Sequence, residues 1–172
     1  MFFGGRRKKA TEAAMAALRP VIATAQISGM STHMYFDPYV LGYLSFMASF
    51  FAKAETNNRV KSSDLGFAMQ DAFTNVCNVN GAEMTRNVIE LVQSQDPDFL
   101  RGSDDASVAC YYTVGLMNDA ADVQLLRDAQ AFADAVGGSL VGGDRRSAVG
   151  GAIMQLTFNN RIRELRGEVG NA

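Results

Sequence analysis

The sequence predicts an all-α fold, a compact single-domain bundle of about seven helices around a central apolar helix at residues 38–56. Apolar residues recur with the three-to-four-residue spacing of a helix in several separate segments. The period-two alternation that indicates strands is absent. A chain of 172 residues with 48% hydrophobic and 20% charged residues is also long enough to bury a core of its own.

The helical pattern covers most of the chain after a short basic start. Residues 1–9 pair two phenylalanines with four basic residues, and we expect a flexible segment there, ahead of a single helical domain at 10–172. Within that domain the spacing predicts helices at 10–28, 38–56, 63–78, 81–95, 103–118, 119–136 and 145–166. Loops are predicted between them, among them one at 95–102.

Start and stop signals support these helices. Asp37-Pro38 combines an N-cap residue with a proline at the first helical position. Asn80 precedes a segment with Glu83 at its third position, and Gly137-Gly138 ends another segment. Pro20 lies inside the first pattern, where it predicts either a kink or a second start.

The second predicted helix has no polar face. Its large apolar residues cover the whole circumference: Val40, Leu41, Tyr43, Leu44, Phe46, Met47, Phe50 and Phe51. Such a helix is expected to be wrapped by its neighbours, or to share one face with a second protomer. Small residues such as Gly42, Ser45 and Ser49 would let neighbouring helices approach closely.

Charge and cysteine content narrow the classes of function. The formal net charge is −2, so no general attraction to nucleic acid or to an anionic membrane is expected. Two cysteines do not make a disulfide framework, which favours a reducing cytoplasm. The uncharged run between Asp37 and Lys53 has 15 residues, fewer than the roughly 20 that span a bilayer.

The single histidine suggests one candidate pocket. His33 is followed by an aspartate and several aromatic residues, and we expect a ligand site between helices to draw on these residues and on the Cys110 region. The candidate lining is His33, Asp37, Tyr39, Cys110, Tyr111 and Tyr112. A loop histidine without a role is the alternative. One histidine cannot supply a zinc site, and nothing specific supports haem.

An acidic cluster around Gly102 invites comparison with a calcium loop. Counted from Asp96, the EF-hand pattern fails at Leu100, Arg101 and Ser107, which occupy positions that need other residues. Aspartates that begin and cap a helix explain the cluster equally well. We therefore predict no metal site and no cofactor.

Basic residues near the C-terminus offer two further candidates. Arg145 and Arg146 follow a glycine-rich stretch at 137–143, where a helix start and two guanidinium groups could hold an anion; a mobile loop is the alternative. Gly150-Gly151 predicts close packing or a kink. Arginines 161, 163 and 166 form a basic stripe that either contacts an acidic partner or complements the helix dipole.

No catalytic constellation emerges, so we predict a non-catalytic cytoplasmic protein-interaction module that self-associates, with a homodimer as the expected form. The candidate interface residues are Phe46, Phe50, Phe51, Arg161, Arg163 and Arg166. The alternative is the ligand-binding or enzymatic pocket at His33. A weaker alternative is contact of residues 1–9 with a membrane surface.

Overall fold

The computed structural model describes residues 4–116, 123–137 and 145–167, and in these ranges the protein is helical without strands. The predicted all-α fold is therefore confirmed. The elements are α1 (Gly4–Ile27), a 3₁₀ turn (Thr32–Phe36), α2 (Pro38–Glu55), α3 (Ser62–Cys77), α4 (Gly81–Ser94), α5 (Pro97–Val114), α6 (Val123–Gly137), α7 (Arg145–Met154), a π turn (Gln155–Asn159) and α8 (Asn160–Leu165). The last three elements follow one another directly and correspond to the seventh predicted helix.

Helix α1 starts earlier than predicted and continues past its proline. It begins at Gly4, so the turn that precedes residue 10 is helical, and Arg7 forms an ion pair with Asp71 of α3 at 2.8 Å. Pro20 neither ends the helix nor starts a new one. The Thr24 hydroxyl donates to the Pro20 carbonyl at 2.8 Å, one turn later.

Helix α5 begins six residues before its predicted start, so the predicted loop at 95–102 was wrong. Asp96 is the N-cap and accepts a hydrogen bond from the Phe99 N–H at 2.9 Å, with Pro97 at the first helical position. This is the same Asp-Pro start that correctly marked α2. Gln95, in the left-handed conformation, ends α4 directly before it.

Helices α2 and α5 cross where two glycines face each other. A Cβ at Gly42 would overlap the Phe99 carbonyl, and a Cβ at Gly102 would overlap the Tyr39 carbonyl. Farther along both helices, Phe50 meets Tyr111 with ring centroids 5.2 Å apart. Since later residues of α2 meet later residues of α5, the two helices run in the same direction from a tight glycine crossing.

The remaining packing places α2 against most of the bundle. Ten of its 18 residues are buried, and it contacts α1, α3, α4, α5 and the 3₁₀ turn. Helix α6 packs mainly on α7, and α7 packs on α5. The ring of Phe158 in the π turn lies 4.8 Å from that of Tyr43 in α2.

The paired glycines of α7 behave differently from each other. A Cβ on Gly150 would lie 3.3 Å from the Thr113 hydroxyl oxygen of α5, which agrees with the predicted close packing there. Gly151 faces open space. The helical irregularity comes four residues later, in the π turn, where one extra residue per turn widens the helix.

Candidate functional site

An ion pair joins the start of α2 to α8. Arg161 donates from Nη2 to Asp37 Oδ2 at 2.8 Å and from Nε to Asp37 Oδ1 at 3.2 Å, and its Nη1 donates to Glu164 at 3.3 Å. Asp37 also caps α2 by accepting from the Val40 N–H at 3.2 Å. The hydrogen bonds to Asp37 raise the pKa of Arg161 above its ordinary value. The guanidinium is thus charged and held in one orientation.

Tyr39 lies beneath two arginines and points its hydroxyl at a carboxylate. The guanidinium carbons of Arg101 and Arg161 stand 5.2 Å and 6.0 Å from the centre of its ring. Its hydroxyl donates to Asp105 Oδ2 at 2.5 Å. Burial, and to a smaller extent Asp105, raise the pKa of Tyr39, so the phenol stays protonated and donates.

Tyr39, Arg101 and Asp105 form one wall of a cleft of about 220 Å³, which we call the polar cleft. Its other wall is the π turn and α8. The full lining is Tyr39, Arg101, Asp105, Leu156, Thr157, Asn160, Arg161 and Glu164. Two cationic and two anionic side chains therefore share a small volume.

A fully buried hydroxyl lies behind this cleft. Tyr43 is inaccessible to solvent, and its hydroxyl makes no hydrogen bond within the described residues. Burial raises the pKa of Tyr43; the nearby hydroxyl of Thr157, at less than ideal hydrogen-bond geometry, lowers that pKa, and Cys110 and Asp105 raise it. Thr157 and Asp105 both line the polar cleft, so the unpartnered hydroxyl lies next to its floor.

The other end of α2 opens into an aromatic groove of about 430 Å³. Its lining residues are Phe46, Ser49, Phe50, Lys53, Ala54, Asn58, Tyr111 and Leu116. The rings contact one another: Phe46 stacks on Phe50 at 6.1 Å, and Phe50 meets Phe51 and Tyr111 edge-on at 5.3 Å and 5.2 Å. Phe46, Phe50 and Phe51 are half-buried, and Leu116 is 64% exposed. We call this surface the aromatic groove.

A second, shallower depression of about 520 Å³ lies on the other side of the same helix. It is lined by Ala13, Ala16, Ala17, Phe51, Ala54 and Glu55. Because it shares Ala54 with the aromatic groove, the two depressions flank the last turns of α2. The alanines of α1 meet the end of α2 here, which shows that the start of α1 lies at this end of the bundle.

Basic residues slightly outnumber acidic ones at the end of α2. Residues 53–64 carry Lys53, Arg59 and Lys61 against Glu55 and Asp64. The basic start of α1 lies against α3 instead, where Arg7 pairs with Asp71. Lys53 is the charged side chain in the lining of the aromatic groove.

The residues predicted to line the histidine pocket are spread over several places. Asp37 and Tyr39 lie at the polar cleft, while Tyr111 lies in the aromatic groove beside Phe50. At a rise of 1.5 Å per residue, Phe50 is about 16 Å from Tyr39 along α2. Cys110 is buried, and Tyr112 is partly buried. His33 is exposed, with its Nδ1 3.1 Å from the Ser31 hydroxyl.

The predicted basic sites are also engaged within the chain. Arg145 pairs with Asp134 at 3.3 Å, and Arg146 lies against Gly115; residues 138–144, the glycine-rich part of the predicted anion site, lie outside the described ranges. Arg163 donates to the Asn160 side chain at 3.3 Å, and Arg166 to the Ser28 carbonyl at 2.6 Å. Of the three C-terminal arginines, Arg161 is the one that reaches a cleft.

Sequence reasoning missed most of the polar cleft. Arg101 and Asp105 are four residues apart, and so are Thr157 and Arg161, a spacing that puts each pair on one helix face. This signal was available, but it does not say that the two faces meet. The contact joins residues more than a hundred positions apart, as in the Asp37–Arg161 pair.

Wider searches give no further lead. Within the described ranges, no three His, Cys, Asp or Glu side chains gather where they could hold a metal ion. None of the helices described combines the length and the hydropathy needed to cross a bilayer. In comparisons with known proteins, no family model, curated protein or solved structure matches the chain.

Proposed function

We propose that the protein is a non-catalytic interaction module that binds an acidic amphipathic helix of a partner protein in the aromatic groove. The observation that carries this proposal is the half-buried aromatic cluster at the end of α2, which the chain's own helices leave uncovered. Aromatic side chains in a pocket dominate the energy of many protein interfaces.

The groove suits a helix because its floor is apolar and already ordered. The stacked and edge-on contacts among Phe46, Phe50 and Tyr111 hold the rings in place before a partner arrives. The free-energy cost of ordering this surface on binding is therefore lower. Apolar residues at helical spacing are the usual way in which one amphipathic helix fills such a groove.

Charge specifies the partner further. Lys53 lines the groove, and residues 53–64 carry slightly more basic than acidic residues. A partner helix with acidic residues beside its apolar stripe would approach faster and in one orientation. A second copy of this chain is the competing occupant, because its apolar rings could also be buried against this groove. Self-association, which the sequence predicted, is therefore an outcome that the test must separate.

The test selects binders from a displayed library of peptides about four helical turns long, with charged and apolar positions randomised. We expect enrichment of apolar residues at helical spacing together with acidic residues. Phe50→Ala and Lys53→Glu should each weaken the selected peptides about tenfold or more, because they remove an aromatic contact and reverse the local charge. Phe132→Ala, at an exposed aromatic residue of α6, is the matched control and should leave binding unchanged.

Four results would contradict the proposal. The first is equal binding of the selected peptides to the Phe50→Ala variant, and the second is selection of basic instead of acidic peptides. A concentration-dependent dimer in light scattering that Lys53→Glu leaves intact and Phe50→Ala abolishes would assign the groove to a second copy. Binding to anionic vesicles that competes with the peptides would assign it to a membrane surface.

A further inference from the structure

The polar cleft lies at the opposite end of α2 from the aromatic groove and is independent of the proposed interaction. It is enclosed by α2, α5, the π turn and α8, which are brought together from distant parts of the chain. Its lining is mainly polar, unlike that of the aromatic groove. What it holds must therefore be recognised by charge and hydrogen bonds.

Its cationic side is ordered in advance. Two hydrogen bonds donated to Asp37 fix the Arg161 guanidinium, whose side chain is 21% exposed, and Arg101, whose side chain is 56% exposed, pairs with Asp98 at 3.0 Å. Each arginine carries five N–H donors, and these contacts use only part of them. Two guanidinium groups above one tyrosine ring thus present donors of the kind that bind a carboxylate with two parallel hydrogen bonds.

Its anionic side is equally well defined. Asp105 accepts the Tyr39 hydroxyl proton, and Glu164 accepts from Arg161 at 3.3 Å. An ionised carboxylate offers about four acceptor positions, so a carboxylate of this kind can accept from an ammonium group as well as from a neighbouring side chain. A ligand with only negative charge would meet these two carboxylates, and a ligand with only positive charge would meet the two arginines.

Two further observations indicate that the cleft is a built site. The wall is a π turn, an irregularity that is rare in helices and frequently lies at functional sites. Behind it, the fully buried Tyr43 hydroxyl makes no hydrogen bond of standard geometry among the described residues and has the hydroxyl of Thr157, a residue of the lining, as its neighbour. At about 220 Å³ the cleft is smaller than the roughly 300–1,000 Å³ of sites for drug-sized ligands.

We propose that the polar cleft binds a free α-amino acid. The carboxylate lies against Arg101 and Arg161, and the ammonium group lies between Asp105 and Glu164. An electrically neutral ligand with both charges matches a lining with two charges of each sign. The small volume limits the ligand to one with a short side chain.

The experiment is calorimetric titration of the full chain with glycine, L-alanine, L-serine and L-asparagine, beside acetate and ethylamine as probes with one charge each. At least one of the amino acids should bind about tenfold or more tightly than either single-charge probe. Arg101→Gln and Asp105→Asn should each weaken that binding by a similar factor. Arg127→Gln, at an exposed arginine of α6, is the matched control and should leave it unchanged.

The outcomes are separable from misfolding, because Arg101 lies on the exposed side of α5 and its substitution is not expected to unfold the bundle. The circular dichroism and melting temperature of each variant check this. Acetate binding as tightly as the amino acids would show a simple anion site and overturn the proposal. So would the absence of heat from all four amino acids, or equal weakening by Arg127→Gln.

Discussion

The two halves of α2 have similar sequences and very different surroundings. From Tyr39 to Ser45 every residue is buried, whereas Phe46, Ser49, Phe50 and Phe51 are only partly covered. Both halves are rich in large apolar residues. An apolar sequence therefore favours burial of a helix, while the packing of the neighbouring helices determines how much of its apolar surface is buried.

The difference comes from the glycine crossing. Gly42 and Gly102 let the α2 and α5 backbones touch near their starts, and the Asp37–Arg161 pair brings α8 over the same end. From this point α2 and α5 run the same way, and the aromatic groove opens between their last turns. One end of α2 is tightly packed, and at the other end the described residues cover Phe46, Phe50 and Phe51 only in part.

The largest expected contrast is between one aromatic residue from each end. Phe158 is fully buried against Tyr43, and Phe158→Ala should lower the free energy of unfolding by about 3–5 kcal/mol. Phe50→Ala removes a half-buried ring and should cost only about 1 kcal/mol. Urea unfolding of both variants measures the difference. Equal losses would mean that the end of α2 is packed as closely as its start.

A glycine pair gives the next contrast. Gly42→Ala places a methyl group against the Phe99 carbonyl, which must move, so we expect a loss of about 1–3 kcal/mol in unfolding free energy. Gly66→Ala, at a helical position of α3 that faces open space, should instead add up to about 1 kcal/mol. Two substitutions of the same kind should thus act in opposite directions. If Gly42→Ala left the free energy of unfolding unchanged, the glycine crossing would not be the cause of the close packing at the start of α2.

A further expected effect concerns alkaline pH. Burial raises the pKa of Cys77 and of Cys110 from the ordinary value of 9.0 to about 12. Because the folded pKa is the higher one, the stability contribution is complete below pH 9.0 and is lost progressively as pH rises towards 12. Each thiol should contribute a slope of up to about 1.4 kcal/mol per pH unit in that window.

Denaturant unfolding between pH 8 and pH 11 tests this slope. The Cys110→Ala variant, which loses one of the two thiols, should start from a lower stability and fall less steeply. An unchanged slope in that variant would show that the Cys110 thiol is hydrated in the folded protein.

Local sequence signals predicted the helices well, because caps and apolar spacing act over a few residues. Asp37-Pro38 and Asn80 begin helices as predicted, and the Asn80 side chain accepts from the Glu83 N–H at 3.2 Å. The missed start of α5 had the same signal at Asp96-Pro97. Ser103 followed by Asp104 and Asp105 also resembles a helix start, and this second signal favoured the later boundary, whereas the chain is already helical there and Gly102 serves a helix crossing.

The candidate sites were much harder to predict. Asp37 and Tyr39 were singled out, but their partners Arg161 and Asp105 lie 124 and 66 residues away. Spacing along a helix shows which residues share a face, and it does not show which faces meet. Phe46 and Phe50 were predicted as interface residues from their position on an apolar helix, and that interface role remains a prediction.

Thiol labelling at two positions one helical turn apart tests most directly whether the two halves of α2 differ in burial. Ser45 and Ser49 both donate to the carbonyl three residues earlier, so Ser45→Cys and Ser49→Cys are matched variants. The two native cysteines are buried and provide a low background. We predict that Ser49→Cys reacts with a thiol reagent about 100-fold faster or more, because labelling at residue 45 requires the bundle to open. Equal rates at the two positions would contradict the account.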